Sequence, residues 1–182
     1  MKSIKEKQDS FFKEAKDKFG YKNIMSSPKL LKVAVSVATG TMMKKDNKRN
    51  DFVSDRLAKI TGQKPAVRGA KKSVASFKVR QGDPIGLLVI LRGNRMQDFL
   101  EKLINIALPR TKDFRGINPN SVDNIGNITF GIKEHTIFPE TSDEDIKDIF
   151  GMAITIETSA KSKEEAKEFL THIGLPFKTN TQ

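Results

Sequence analysis

The chain has 182 residues, 37% of them hydrophobic and 30% charged, with no cysteine and a formal net charge of +11. That length serves one domain or two small ones and is enough to bury a real core. The missing cysteines exclude disulfides, thiolate metal sites and a cysteine nucleophile and suit a reducing compartment, and no apolar run reaches the ~20 residues of a membrane span.

The N-terminal stretch mixes acids with lysines and lacks an apolar core, so it reads as neither a secretory signal nor a transit peptide. Ser3-x-x-Glu6 has the spacing of a capping box and predicts a helix ending near Gly20, with Phe11, Phe12, Ala15 and Phe19 as its apolar stripe. KLLKVAVSVAT alternates, which predicts a strand. Leu31, Val33, Val35 and Val37 form its core face, and Leu30, Lys32, Ala34, Ser36 and Ala38 form a second face of mostly small residues. That second face could admit a partner's backbone or be covered by a helix of the same domain. Residues 45–61 predict a second helix on Phe52, Val53, Leu57 and Ile60, stopped at Gly62. Pro65 to Val79 reads as strand with a loop inside or after it, and IGLLVIL (85–91) as a buried central strand. Met96, Phe99, Leu100, Leu103, Ile104 and Ala107 stripe a third helix that Pro109 stops. A long Gly/Pro/Asn/Asp-rich loop follows to Ile125. NITFGIKE (127–134) and MAITIET (152–158) alternate as strands around an acidic stretch with room for a short helix. Ser162-x-x-Glu165 caps a last helix ending at Gly174. Strands outside a regular βαβ rhythm predict an α+β fold: a mostly antiparallel sheet with helices packed on one side and long functional loops, a single domain over 1–182.

Charge is unevenly placed. Residues 1–100 carry 23 Lys/Arg against 9 Asp/Glu, and residues 101–182 carry 10 against 13. From Arg56 to Gly82 there are eight cations and no acid. Phosphate contacts by such a run release condensed counterions, so a nucleic acid is the expected partner, against the blander reading of a solubilising surface. The chemistry of catalysis is missing. His135 and His172 lack metal-ligand spacing. Glu134 and His135 are adjacent on a strand end and point apart. Gly69-Ala-Lys-Lys-Ser73 lacks the register of a phosphate-binding loop. The acids of 140–148 lack an EF-hand pattern. No nucleophile, base and oxyanion donor assemble, so no catalytic residue, cofactor or metal is expected.

ITGQKP (60–65), AKKS (70–73), RGNRM (92–96), FLEKLINIALPR (99–110), DFRGINP (113–119), GNITFGIKE (126–134), FPE (138–140), GMAITI (151–156) and GLPF (174–177) together resemble one family. It is the bacterial-type ribosomal protein five of the large subunit, and the resemblance covers almost the whole chain in order. It implies a cytoplasmic protein of the ribosome that binds 5S rRNA and large-subunit rRNA in the central protuberance. The implied neighbours are large-subunit proteins eighteen and often twenty-five. It also implies a loop reaching the elbow of the P-site tRNA and a bridge to protein thirteen of the small-subunit head.

By position, the family's 5S-binding lysine and asparagine of the first strand, its glutamine after the second helix and its threonine of the central strand fall on Lys32 or a near neighbour, Ser36, Gln63 and Ile90. Gln63 fits; Ser36 offers fewer hydrogen bonds than asparagine, and the Ile90 side chain offers none. Lys29, Lys64 and Arg92 join them as expected 5S contacts. The basic segment matches the tRNA-reaching loop and assigns Lys71, Lys72, Ser76, Lys78 and Arg80 to tRNA. Phe77, inside that segment, is expected to pack inward rather than stack on a base. Arg110, Lys112, Arg115, Asp143, Glu144 and Asp145 are the bridge candidates. The competing classes are a stand-alone RNA chaperone and an RNA-acting enzyme that uses the basic half as a groove.

Overall fold

The computed structural model describes residues 3–40, 49–112, 114–142 and 149–178. The helices and strands that build the fold follow in the order α1 (Ile4–Phe19), β1 (Leu30–Ala38), α2 (Arg49–Thr61), β2 (Ala66–Gly69), β3 (Pro84–Leu91), α3 (Gly93–Lys102), β4 (Ile128–Ile132), β5 (Met152–Thr158) and α4 (Lys163–Ile173). The strands form one antiparallel sheet in the order β2-β3-β1-β5-β4, so the fold is α+β as the rhythm of the sequence implies. The described chain divides into two compact units, one of Met1–Val33, Arg92–Phe130 and Thr155–Gln182, the other of Ala34–Leu91 and Gly131–Ile154.

In the first unit, α1 packs on α3 and α4. Its start is the capping box the sequence announces: the Ser3 hydroxyl accepts from Glu6 N–H at 3.2 Å, and the Glu6 carboxylate accepts from Ser3 N–H at 3.1 Å. Gly20 ends it in the left-handed region at φ 66, where a side chain would be strained. Phe11 and Ala15 are buried, and Phe11 meets Phe169 of α4 edge-on at 5.2 Å. Phe12 and Phe19 are only half-buried and instead flank Tyr21. Beyond α3 the helix does not stop at Pro109. It widens into a π-helical stretch, Leu103–Ala107, and continues through a last turn, Leu108–Arg110. Proline lacks an N–H, and a wider turn accommodates the carbonyl it would leave unpaired. Leu103, Ala107 and Leu108 stay buried through this change.

In the second unit, Val35 and Val37 of β1, Leu87, Val89 and Leu91 of β3, and Val53, Leu57 and Ile60 of α2 form the core. The α2 helix packs against β3 and against the turn Pro139–Thr141. Its predicted first residues, 45–48, and the acidic residues 143–148 lie outside the described ones. Two sequence expectations change here. β3 is not buried on both faces: Leu87, Val89 and Leu91 are buried while Gly86, Leu88 and Ile90 are half-buried. It also lies second from the sheet edge, and β1 is central. An apolar run alone does not distinguish two-sided burial from an apolar open face. Leu31, at the start of β1 in the first unit, has the parity of Val33 but is 51% exposed. Alternation fixes which way a side chain points, not whether anything covers it.

Candidate nucleic-acid interface

The basic segment of the second unit is a hydrogen-bonded arm. β2 and β3 pair antiparallel, with Ala66 opposite Leu88 and Val67 opposite Leu87, and the register shifts between Arg68 and Gly69. Past that irregularity the two strands keep exchanging bonds. Ala70 N–H donates to Asp83 C=O at 2.8 Å, and Gly82 N–H donates to Ala70 C=O at 3.0 Å. A Cβ on Gly69 would come within 3.1 Å of the Gly82 carbonyl, so glycine permits the close approach. Farther out, Val74 and Val79 exchange both backbone bonds, at 2.9 and 3.3 Å. The tip is a 3-10 turn, Ala75–Phe77, closed by Lys78 at φ 51. Two side chains brace the return strand: the Ser73 hydroxyl accepts from Gln81 N–H at 2.9 Å, and the Asp83 carboxylate accepts from Arg80 N–H at 2.7 Å. The strand expected over Pro65 to Val79 is therefore only Ala66–Gly69, followed by this arm.

Lys71, Lys72, Ser76, Lys78 and Arg80 are all exposed on the arm. Phe77 does not pack inward: it is 65% exposed, and Val67 and Val74 are also exposed. A two-strand projection has no interior in which to bury a ring, which composition could not reveal.

The open face of β1 and β3 carries the remaining second-unit candidates. Ser36 and Ala38 are exposed and Ala34 is half-buried, so among the described residues no helix closes over this face. Gln63 follows the left-handed Gly62, at φ 69. Its backbone N–H reaches the Thr61 hydroxyl at 3.4 Å, and its carboxamide donates to the Ile90 carbonyl at 3.4 Å. Ile90 thus meets Gln63 through its backbone, which every residue type retains. Lys64 is exposed.

In the first unit Lys32 lies half-buried on the open parity of β1, with its ammonium 2.9 Å from the Glu157 carboxylate of β5. The Thr129 and Thr155 hydroxyls meet at 2.9 Å on β4 and β5. Lys29 is half-buried; its backbone N–H donates to the Ser159 hydroxyl at 2.8 Å, and its ammonium contacts the Met25 sulfur at 3.4 Å. Arg92 is exposed at the start of α3. Arg110, Lys112 and Arg115 are exposed in the same unit, while Asp143, Glu144 and Asp145 lie outside the described residues. The sequence analysis singled out none of Glu157, Thr129 and Thr155 as neighbours of this face, although their places on alternating strands carry that signal.

Glu134 and His135 are not a strand-end pair: β4 stops at Ile132, and His135 opens a 3-10 turn, His135–Ile137. Glu134 is exposed, and His135 is fully buried, its ring stacked on Phe150 at 4.0 Å with Nδ1 accepting from Phe150 N–H at 3.3 Å. That places the histidine in the packing of the second unit and not at a surface site.

Known proteins share this chain's sequence across both units. The ribosomal protein L5 family matches residues 23–80, and the C-terminal region of the same ribosomal family matches residues 84–177. The large ribosomal subunit protein uL5 of Moorella thermoacetica is 49% identical over 179 residues, covering 98% of this chain and 99% of that protein. The uL5 of Halothermothrix orenii is 51% identical over 161 residues, covering 88% and 89%. The uL5 of Thermotoga maritima is 49% identical over 164 residues, covering 88% and 86%. These matches include both strands of the basic arm, and on them the chain belongs to the ribosomal L5 family, whose members are structural, non-catalytic constituents of the large subunit in the cytoplasmic ribosome.

Proposed function

We propose that this chain, acting as one binding module over 1–182, anchors 5S rRNA in the central protuberance and extends its basic arm to the elbow of the P-site tRNA. The observation that carries the reading is the arm itself: exposed Lys71, Lys72, Lys78 and Arg80 on a braced two-strand projection. A tRNA contact has to tolerate any tRNA, so phosphate charge and shape suit it better than base-edge readout. Asp83, the one acid of the arm, turns its carboxylate to the Arg80 backbone. Phe77 at the tip adds an aromatic face that can stack on any base regardless of sequence. Large-subunit rRNA and proteins eighteen and twenty-five are the further proposed neighbours, with protein thirteen of the small-subunit head meeting exposed Arg110, Lys112 and Arg115 and the acidic Asp143, Glu144 and Asp145.

The 5S contact is assigned to Lys29, Lys32, Ser36, Gln63, Lys64, Ile90 and Arg92. Exposed Ser36 and half-buried Gln63 offer short polar groups, and the flat Ala34–Ala38 face lets an RNA backbone come close. Binding of 5S rRNA measured across a salt series tests this. Affinity should fall steeply with salt, with a log–log slope of roughly 0.7 to 0.9 per phosphate contact, and 5S should be preferred over unrelated RNA. A flat salt response would refute the reading.

A further inference from the structure

Lys32 is the cation that the first strand offers to an RNA phosphate, and in the structure it is already engaged. Its partner Glu157 is 2.9 Å away, and the two side chains are 28% and 32% exposed. β5 sets the carboxylate there by alternation: Met152, Ile154, Ile156 and Thr158 turn inward, and Ala153, Thr155 and Glu157 turn outward. Beside it lies the Thr129–Thr155 hydroxyl pair. An ion pair this close to solvent adds little to folding, so stability is a weak reason for an acid at this place.

Its effect on RNA is larger. A carboxylate repels phosphate and accepts from N–H donors. Lys32 cannot turn fully to a phosphate while Glu157 holds it, unless the RNA brings a donor that replaces the ammonium. The N–H groups on the edge of an unpaired base are such donors, and RNA recognition commonly reads splayed, unpaired bases.

We propose that Glu157 is a specificity-determining residue that withholds Lys32 from indiscriminate phosphate contact and releases it to an RNA presenting a base N–H donor to the carboxylate. This rests on the 5S reading of the strand face given above. Repulsion of the wrong partner is a recognised route to specificity, and here one acid would supply both the repulsion and the acceptor.

The test compares 5S rRNA with a scrambled transcript of equal length, each titrated across a salt series with the full chain. The variants are Glu157→Gln, Glu157→Thr and the double variant Lys32→Met/Glu157→Gln; the threonine variant covers the case in which glutamine still holds the lysine. Expected for the single variants is at least about threefold tighter binding of the scrambled RNA, with a salt slope steeper by about 0.7 to 0.9, one added phosphate contact. The preference for 5S should fall in the same variants, and the double variant should lose the gain. Unchanged affinity and slope for both RNAs would overturn the proposal. So would an equal gain for both, which would leave Glu157 a source of repulsion without discrimination. A wild-type chain with no preference for 5S overturns this proposal together with the reading beneath it, whereas intact 5S preference with no response to Glu157 substitution overturns this proposal alone.

Discussion

Tyr21 is the only tyrosine of the chain, which has no tryptophan. Its ring stacks against Phe12 and Phe19, at 6.5 and 5.9 Å, and its hydroxyl donates to the Glu165 carboxylate of α4. The same carboxylate accepts from Lys161 N–H at 2.6 Å, so one buried acid ties the chain after α1 to the start of α4. Burial pushes the phenol well above its ordinary range, and the hydrogen bond and the negative charges of Glu165 and Glu168 push it the same way. The raised group favours the folded state below the ordinary phenol value of ~10, and that contribution is lost as pH rises from there through the folded value. In an alkaline titration followed by tyrosinate absorbance, the single tyrosinate signal should therefore appear only together with loss of helical circular dichroism. Ionisation near pH ~10 in a chain that is still helical would contradict this. The sequence placed Phe12 and Phe19 on an apolar stripe, but not that they would frame a tyrosine lying just past the helix.

At the scale of the element, the arm between β2 and β3 gained most from the structure. Its cations were legible in the sequence because charge belongs to each residue separately. Its stiffness was not, because the Val74–Val79 pairing and the Ser73–Gln81 bond arise only once the chain has turned back on itself. For the proposed tRNA contact that order matters at exposed Phe77: a ring held on a braced turn loses less entropy on stacking than one on a loose loop. Base–aromatic stacking is worth about 1–3 kcal/mol per base. Phe77→Ala should accordingly weaken P-site tRNA retention by large-subunit-containing ribosomes several-fold while leaving the salt slope unchanged, and Phe77→Tyr should retain most of the binding. Equal tRNA retention in Phe77→Ala would show that the ring stacks on nothing.

For the whole molecule, the proposed function divides the basic half of the chain between two tasks. Lys71, Lys72, Lys78 and Arg80 stand on the arm, whereas Gln63, Ser36 and Ile90 lie on the open strand face of the same unit. Replacing the four cations by glutamine should lower tRNA retention and its salt dependence yet leave 5S binding within about twofold, because the exposed cations of the arm and the strand face belong to different contacts in this proposal. Loss of both activities together, read by 5S titration and by tRNA retention on reconstituted subunits, would show that the two sites are wrongly divided. The enzyme and chaperone alternatives of the sequence reading yield to the family match, which spans both units of the fold.

The sequence by itself determined the element order, the helix caps at Ser3 and Ser162, the alternation of β5 and the basic character of the arm. Each follows from spacing or charge within a few neighbouring residues, so no knowledge of the fold was needed. The tertiary structure alone decided that Phe77 faces solvent, that β3 leaves one face open, that the helix passes through Pro109, and that Lys32 is held by Glu157. The reason is physical. Exposure and pairing depend on what the chain brings from far along its length to cover or contact a group, and periodicity records only the direction in which that group points.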